Sequence, residues 1–85
     1  MKPDQEISLV ISTTRGSDRF DFQLKTTVKE VIHAVRKRYE LGGGGQFALV
    51  RKSSGEPLEP VDYTLAKFDL KEGEELVLTG GGVNV

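Results

Sequence analysis

Apolar and polar positions alternate along the first part of the chain. From Glu6 to Thr13, Ile7, Leu9 and Ile11 interleave with Ser8, Val10 and Ser12, the period-two pattern of a strand with one buried face. Val10 is the apolar exception on the outer face. Thr14-Arg15-Gly16-Ser17-Asp18 has turn chemistry, and the alternation resumes with Phe20, Phe22 and Leu24 between Arg19, Asp21, Gln23 and Lys25. These two runs predict an amino-terminal hairpin.

At Thr27 the period changes. Val28, Val31, Ile32, Val35 and Tyr39 recur at helical spacing and share one stripe, as the apolar face of an amphipathic helix does. Thr27 and Glu30 have the spacing of a capping box, in which each side chain satisfies a backbone amide of the first turn. The basic run Arg36-Lys37-Arg38 suits the negative end of the helix dipole, and Gly42 can adopt the left-handed conformation that stops a helix. The spacing predicts a helix from about Val28 to Leu41.

Beyond the glycine run Gly42 to Gly45, Phe47-Ala48-Leu49-Val50-Arg51 reads as a third strand, with Phe47 and Leu49 on one face and Ala48 and Val50 on the other. Ser53-Ser54-Gly55-Glu56-Pro57 is a turn, Glu59 to Tyr63 an irregular crossing, and Thr64 to Asp69 a short helical turn. Glu75 to Thr79 completes the pattern with Leu76 and Leu78 pointing the same way. One helix covering one face of a strand, strand, helix, strand, strand arrangement is an α+β, two-layer domain. Its expected core is Ile7, Leu9, Phe20, Phe22, Val28, Val31, Ile32, Val35, Leu49, Leu65, Leu70, Leu76 and Leu78.

Composition narrows the chemistry. Eighty-five residues amount to one domain's worth of chain, and none is cysteine, so the chain supplies neither a disulfide framework nor a thiolate nucleophile nor a sulfur ligand. The formal net charge of −1 gives no general drive toward nucleic acid or an anionic membrane. No apolar run approaches the roughly 18 residues that span a bilayer, and Met1 to Glu6 lacks the apolar segment of a secretory signal, so a cytoplasmic location is expected. No nucleophile and base, carboxylate pair or metal cluster is apparent. The expectation is a protein that is not an enzyme and that carries no cofactor and no metal.

The string TLAKFDLKEGEELVLTGGG, Thr64 to Gly82, resembles the carboxy-terminal third of ubiquitin and its relatives. It has the threonine-leucine pair Thr64-Leu65, an aromatic, Phe68, near the short turn, and the apolar Leu70 before the last strand. The hairpin, the Thr27 cap and the helix pattern match in order and spacing, so the resemblance covers Glu6 to Gly82. It implies a ubiquitin-like β-grasp fold, a mixed sheet of four to five strands packed on one helix. Such proteins divide into modifiers joined to targets through a terminal glycine, sulfur carriers ending in a thiocarboxylate, and domains that only bind partners.

The end of the chain bears on that choice. Residues 1–79 form the expected domain and residues 80–85 a flexible tail. Gly80-Gly81-Gly82 looks like the terminal diglycine of modifiers and sulfur carriers, and Val83-Asn84-Val85 looks like the removable extension of an unprocessed modifier. Activation requires a carboxylate to pass through a narrow channel and its carbonyl then to be attacked, and a side chain at either glycine would obstruct both steps. Glycine also gives the tail extended forms that other residues resist. A glycine-rich terminus is also what plain disorder looks like. The arm is shorter than that of ubiquitin and lacks its arginines. A short arm resembles the sulfur carriers, which typically end at the diglycine, whereas the extension resembles bacterial modifiers encoded beside their own activating enzyme, conjugating enzyme and metal-dependent peptidase, some of which are associated with antiviral defence.

The resemblance therefore implies a modifier precursor cut after Gly82, with a cut after Gly81 as the other site that leaves a diglycine, then adenylated and joined to protein targets. Gly81 and Gly82 are the processing and conjugation residues. The alternatives are a sulfur carrier and a non-conjugated binding module. For partner binding the candidates are Ala48, Val50 and Val77 on the outer sheet face, a cluster of the kind that marks an interface and equally of the kind found scattered on ordinary surfaces. Gly42 to Gly45 follows a helix instead of opening one and lacks the lysine of a phosphate loop, so it reads as a helix stop and connection. His33 falls off the apolar stripe and Arg36-Lys37-Arg38 reads as a solvated helix end.

Overall fold

The computed structural model describes residues 5–41 and 47–80. The elements run β1 (Glu6–Thr13), β2 (Gly16–Gln23), α1 (Val28–Tyr39), β3 (Phe47–Arg51), a 3-10 turn (Leu65–Phe68) and β4 (Glu74–Gly80). The sheet is mixed and four-stranded, in the order β2-β1-β4-β3. β1 pairs antiparallel with β2 and parallel with β4, and β3 closes the other side antiparallel to β4. One α-helix covers one face, which is the α+β arrangement expected from the alternation and its change of period.

The core lies between α1 and the inward residues of the sheet. Ile7, Leu9 and Ile11 of β1, Leu76 and Leu78 of β4 and Leu49 of β3 meet Val28, Val31, Ile32 and Val35 of the helix, with Leu65 and Leu58 closing the ends. Burying such side chains contributes about 1.5–3 kcal/mol each relative to exposure. Phe20, Phe22 and Leu70, expected in this core, are only half-buried at its margin. The two phenylalanines sit on the edge strand β2, where a single helix cannot cover the sheet fully. Ile11 and Leu58, absent from the expected core, are enclosed.

Three local boundaries differ from expectation. The first turn is tighter, with Thr14 and Arg15 alone outside the strands. There Thr13 Oγ1 accepts from the Arg15 amide and donates to the Gly16 carbonyl, and Gly16 takes a φ of 139° that favours glycine. The helix ends at Tyr39 instead of Leu41, because Glu40 itself adopts the left-handed conformation, φ 53° and ψ 44°. The Leu41 amide then bonds back to the Arg36 carbonyl at 2.9 Å, satisfying a carbonyl that the helix end would leave orphaned. Gly42 lies outside the described residues. β4 begins one residue early and continues through Gly80, paired with Phe47.

The helix start is as expected. The Thr27 hydroxyl accepts from the Glu30 amide at 3.2 Å and Glu30 Oε1 accepts from the Thr27 amide at 3.0 Å. The long connection from β3 to β4 is tied down along its length. Leu58 donates to the Leu49 carbonyl at 2.8 Å, Lys29 to that of Val61 at 2.9 Å, and Leu65 to that of Thr26 at 2.8 Å. Arg51 reaches under the 3-10 turn to the Phe68 carbonyl.

Candidate functional site

The side of the sheet facing away from α1 is built by the outward half of each strand. In the β3–β4 ladder Val50 stands opposite Val77, and Ala48 opposite Thr79. On its other side Val77 is level with Ser12 of β1, while Val10 is level with Glu75. All four apolar residues, Val10, Ala48, Val50 and Val77, are half-buried. They make a small apolar strip across β1, β4 and β3, extended at the edge by Pro57, which forms a bridge to Val50. Val10 and Pro57 were not among the expected patch residues. Val10 did carry a signal, since it breaks the polar alternation of the outer face. Pro57 carried none, because it lies in a turn whose folding back onto β3 has no periodic signature.

Charged groups bound this strip. Lys52 and Glu75 form an ion pair at 3.7 Å on one side, and Arg19 lies 3.6 Å from Glu72 on the other. The Glu72 carboxyl is held below its ordinary range, chiefly by the hydrogen bond that it accepts from the Ser8 backbone amide at 3.2 Å, with Arg19 adding in the same direction. These pairs are exposed and define an edge more than they stabilise the fold.

The same ladder leads to the end of β4. Val77, Leu78, Thr79 and Gly80 pair in turn with Val50, Leu49, Ala48 and Phe47. From Val77 to Gly80 the chain therefore advances about 10 Å in extended form. Gly80 has a φ of 104°, a backbone setting that favours glycine. Beside it the Arg36 guanidinium stacks 4.3 Å from the centre of the Phe47 ring, a contact that fixes the start of β3 against the helix. Gly81 and Gly82 follow Gly80 directly and lie outside the described residues, as does the extension Val83 to Val85.

An open groove runs along α1 past Lys29, Ile32, His33, Arg36, Phe47 and Val61, and His33 is exposed on the helix. Among the described residues no group of histidine, aspartate and glutamate side chains gathers as metal ligands. No helix among them is long and apolar enough to cross a membrane.

Comparison with solved structures places this architecture. The protein of a structure described as molecular mimicry of SUMO promoting DNA repair superposes with a TM-score of 0.75 at 16% identity, over 87% of this chain and 90% of that one. The ubiquitin-like domain of an Arabidopsis thaliana protein superposes with a TM-score of 0.75 at 14% identity, over 95% of this chain and 83% of that one. The chain has a ubiquitin-like β-grasp fold. A de novo design based on ubiquitin shares this β-grasp, with a TM-score of 0.70 at 20% identity over 98% of this chain and 96% of the design. No protein-family model matches the sequence, and no curated protein matches it either. The β-grasp is thus legible in three dimensions where identity is low, because a fold constrains which positions are apolar far more than which apolar residue each one holds.

Proposed function

We propose that this β-grasp protein is the precursor of a protein modifier, most like the bacterial modifiers that carry a diglycine and a removable extension. The observation that carries the reading is the continuity of one strand. β4 contributes Val77 to the outer apolar strip and, within the same ladder, ends on Gly80, after which the sequence continues Gly81-Gly82. A partner that grips the strip therefore holds the following glycines at a set distance from its own reaction centre, which is what positioned catalysis on a terminal carboxylate requires.

The chemistry follows from that placement. A peptidase adds water across the Gly82–Val83 peptide bond and releases Val83-Asn84-Val85. The new Gly82 carboxylate attacks the α-phosphate of ATP, forming an acyl-adenylate and releasing pyrophosphate. An amine of a target protein attacks the acyl carbon and expels AMP, leaving an amide. On the alternative route a partner's thiol first expels AMP to form a thioester, and the amine then expels that thiol. Apart from the terminal carboxylate of Gly82, the chain supplies no nucleophile to any step. It supplies the recognition surface and a carbonyl free of side chains, while the activating enzyme, conjugating enzyme and peptidase supply the catalysis.

The test pairs a chain ending at Gly82 with a cognate activating enzyme. Adduct formation by that chain, and a large loss when Val50→Asp places a charge in the strip of a folded domain, is the expected result. Adducts that form equally well with Val50→Asp would detach the strip from the reaction. A specific observation favours a second reading. One fold neighbour comes from a structure described as molecular mimicry of SUMO promoting DNA repair, and mimicry needs a matching surface, not a reacting carboxylate. On that reading the chain is a binding module that works with Gly81 and Gly82 replaced.

A further inference from the structure

The outer edge of β2 has a property of its own. Among the described residues this eight-residue strand is paired on one side only, with β1, at the opposite margin of the sheet from β3. Gly16 stands opposite Thr13 across the tight turn, and the Leu24 amide donates to the Gln5 carbonyl at 2.7 Å. In an antiparallel ladder these bonded positions recur at every second residue. Phe20 and Phe22 therefore aim their backbone groups at β1, while Ser17, Arg19, Asp21 and Gln23 aim theirs at the free edge. Arg19 and Asp21 also place their side chains on the outer face, where Glu72 lies 3.6 Å from Arg19 and the Ser8 hydroxyl donates to Asp21.

We propose that this edge pairs antiparallel with β2 of a second copy of the chain, in the register that sets Arg19 of each copy opposite Asp21 of the other. The charge pattern selects that register. A twofold axis at Phe20 gives two Arg19–Asp21 pairs. Shifting the axis by one residue toward the turn opposes Arg19 to Arg19, and shifting it by one residue the other way opposes Asp21 to Asp21. Opposite charges directly across a ladder are favourable and like charges unfavourable, so one alignment is selected against its neighbours. An isologous pairing of this kind also closes on itself.

Two further features agree. On the inner face the axis brings Phe20 against Phe20, next to a half-buried aromatic group in which Phe20 stacks on Phe22 at 6.0 Å and meets Tyr39 edge-on at 6.5 Å. A second copy covers aromatic surface that α1 leaves open. The formal net charge of −1 imposes little repulsion between copies. The edge is also partly occupied. Asp18 Oδ1 accepts from the Arg19 amide at 2.8 Å, and the Gln23 carbonyl accepts from the Thr26 amide at 2.9 Å. The intermolecular ladder therefore uses the Asp21 amide with the Arg19 carbonyl and the Gln23 amide with the Ser17 carbonyl, each twice by symmetry. Such a dimer is weak and concentration-dependent. It leaves the outer strip of β3 and β4 and the end of β4 free, so it is independent of the conjugation reading.

The test is sedimentation velocity of the full chain from about 10 μM to about 1 mM, a range that resolves weak association. The expected result is reversible dimerisation, weakened about tenfold or more by Arg19→Asp and restored when Arg19→Asp is combined with Asp21→Arg, with circular dichroism confirming that each variant is folded. Because the chain has no cysteine, a Ser17→Cys/Gln23→Cys variant provides a readout that leaves both charges in place. Oxidation should join Cys at position 17 of one copy to Cys at position 23 of the other. A monomer throughout the range, a dimer indifferent to Arg19→Asp, a crosslink between identical positions, or an edge that pairs only with an added foreign peptide would each overturn the proposal.

Discussion

Leu58 is the residue at which sequence pattern and structure part most clearly. It stands alone between Pro57 and Glu59 in a segment with no periodicity, yet it is 2% exposed, because the chain folds back so that Leu58 bonds Leu49 and drops its side chain under the sheet edge. Nothing local encodes that burial. Leu70 is the converse, an apolar residue before a strand that reads as core and is half-buried. The two cases give a graded expectation. Leu65→Ala removes a side chain with no exposure and should cost about 2–5 kcal/mol, whereas Leu70→Ala should cost clearly less, since its site is open to solvent and can relax. Chemical denaturation of both variants checks this. Equal losses would mean that Leu70 is held as tightly as the enclosed core.

At the scale of elements, strands and helix were legible because their apolar periods differ, two against 3.6. The amino-terminal cap of α1 was also legible, since the capping box is a matter of spacing between Thr27 and Glu30. The other end was not. Glycine is the usual left-handed residue, which pointed to Gly42, but Glu40 takes the conformation two residues earlier and draws Leu41 back toward the core. Half-burying Leu41 against the core offsets part of the roughly 1–2 kcal/mol that a left-handed L-residue costs. The two ends should respond in opposite directions. Thr27→Ala should destabilise the domain by about 1 kcal/mol, while Glu40→Gly should stabilise it by up to about 1 kcal/mol by relieving the left-handed strain. Denaturant midpoints measure both, and destabilisation by Glu40→Gly would show that its side chain matters more than its backbone.

For the whole molecule, the alternation predicted which residues face inward, but the strand order came from elsewhere. The pairing of β1 with β4, parallel and far apart in sequence, leaves no mark on either strand's own pattern. The resemblance of Thr64 to Gly82 to ubiquitin-like proteins implied a mixed sheet without its order, and the structure supplies that order as β2-β1-β4-β3. That pairing puts β4 in the middle of the sheet, and so puts Val77 between β1 and Val50 and leads the chain out at Gly80. The processing reading depends on what happens beyond that point. Its most direct test is intact-mass spectrometry of the protein isolated from its native host. The account predicts a species shortened by Val83-Asn84-Val85 and ending at Gly82, together with adducts that disappear in a Gly82→Ala chain. Finding only the 85-residue chain, with function unchanged when Gly81 and Gly82 are both replaced, would contradict it.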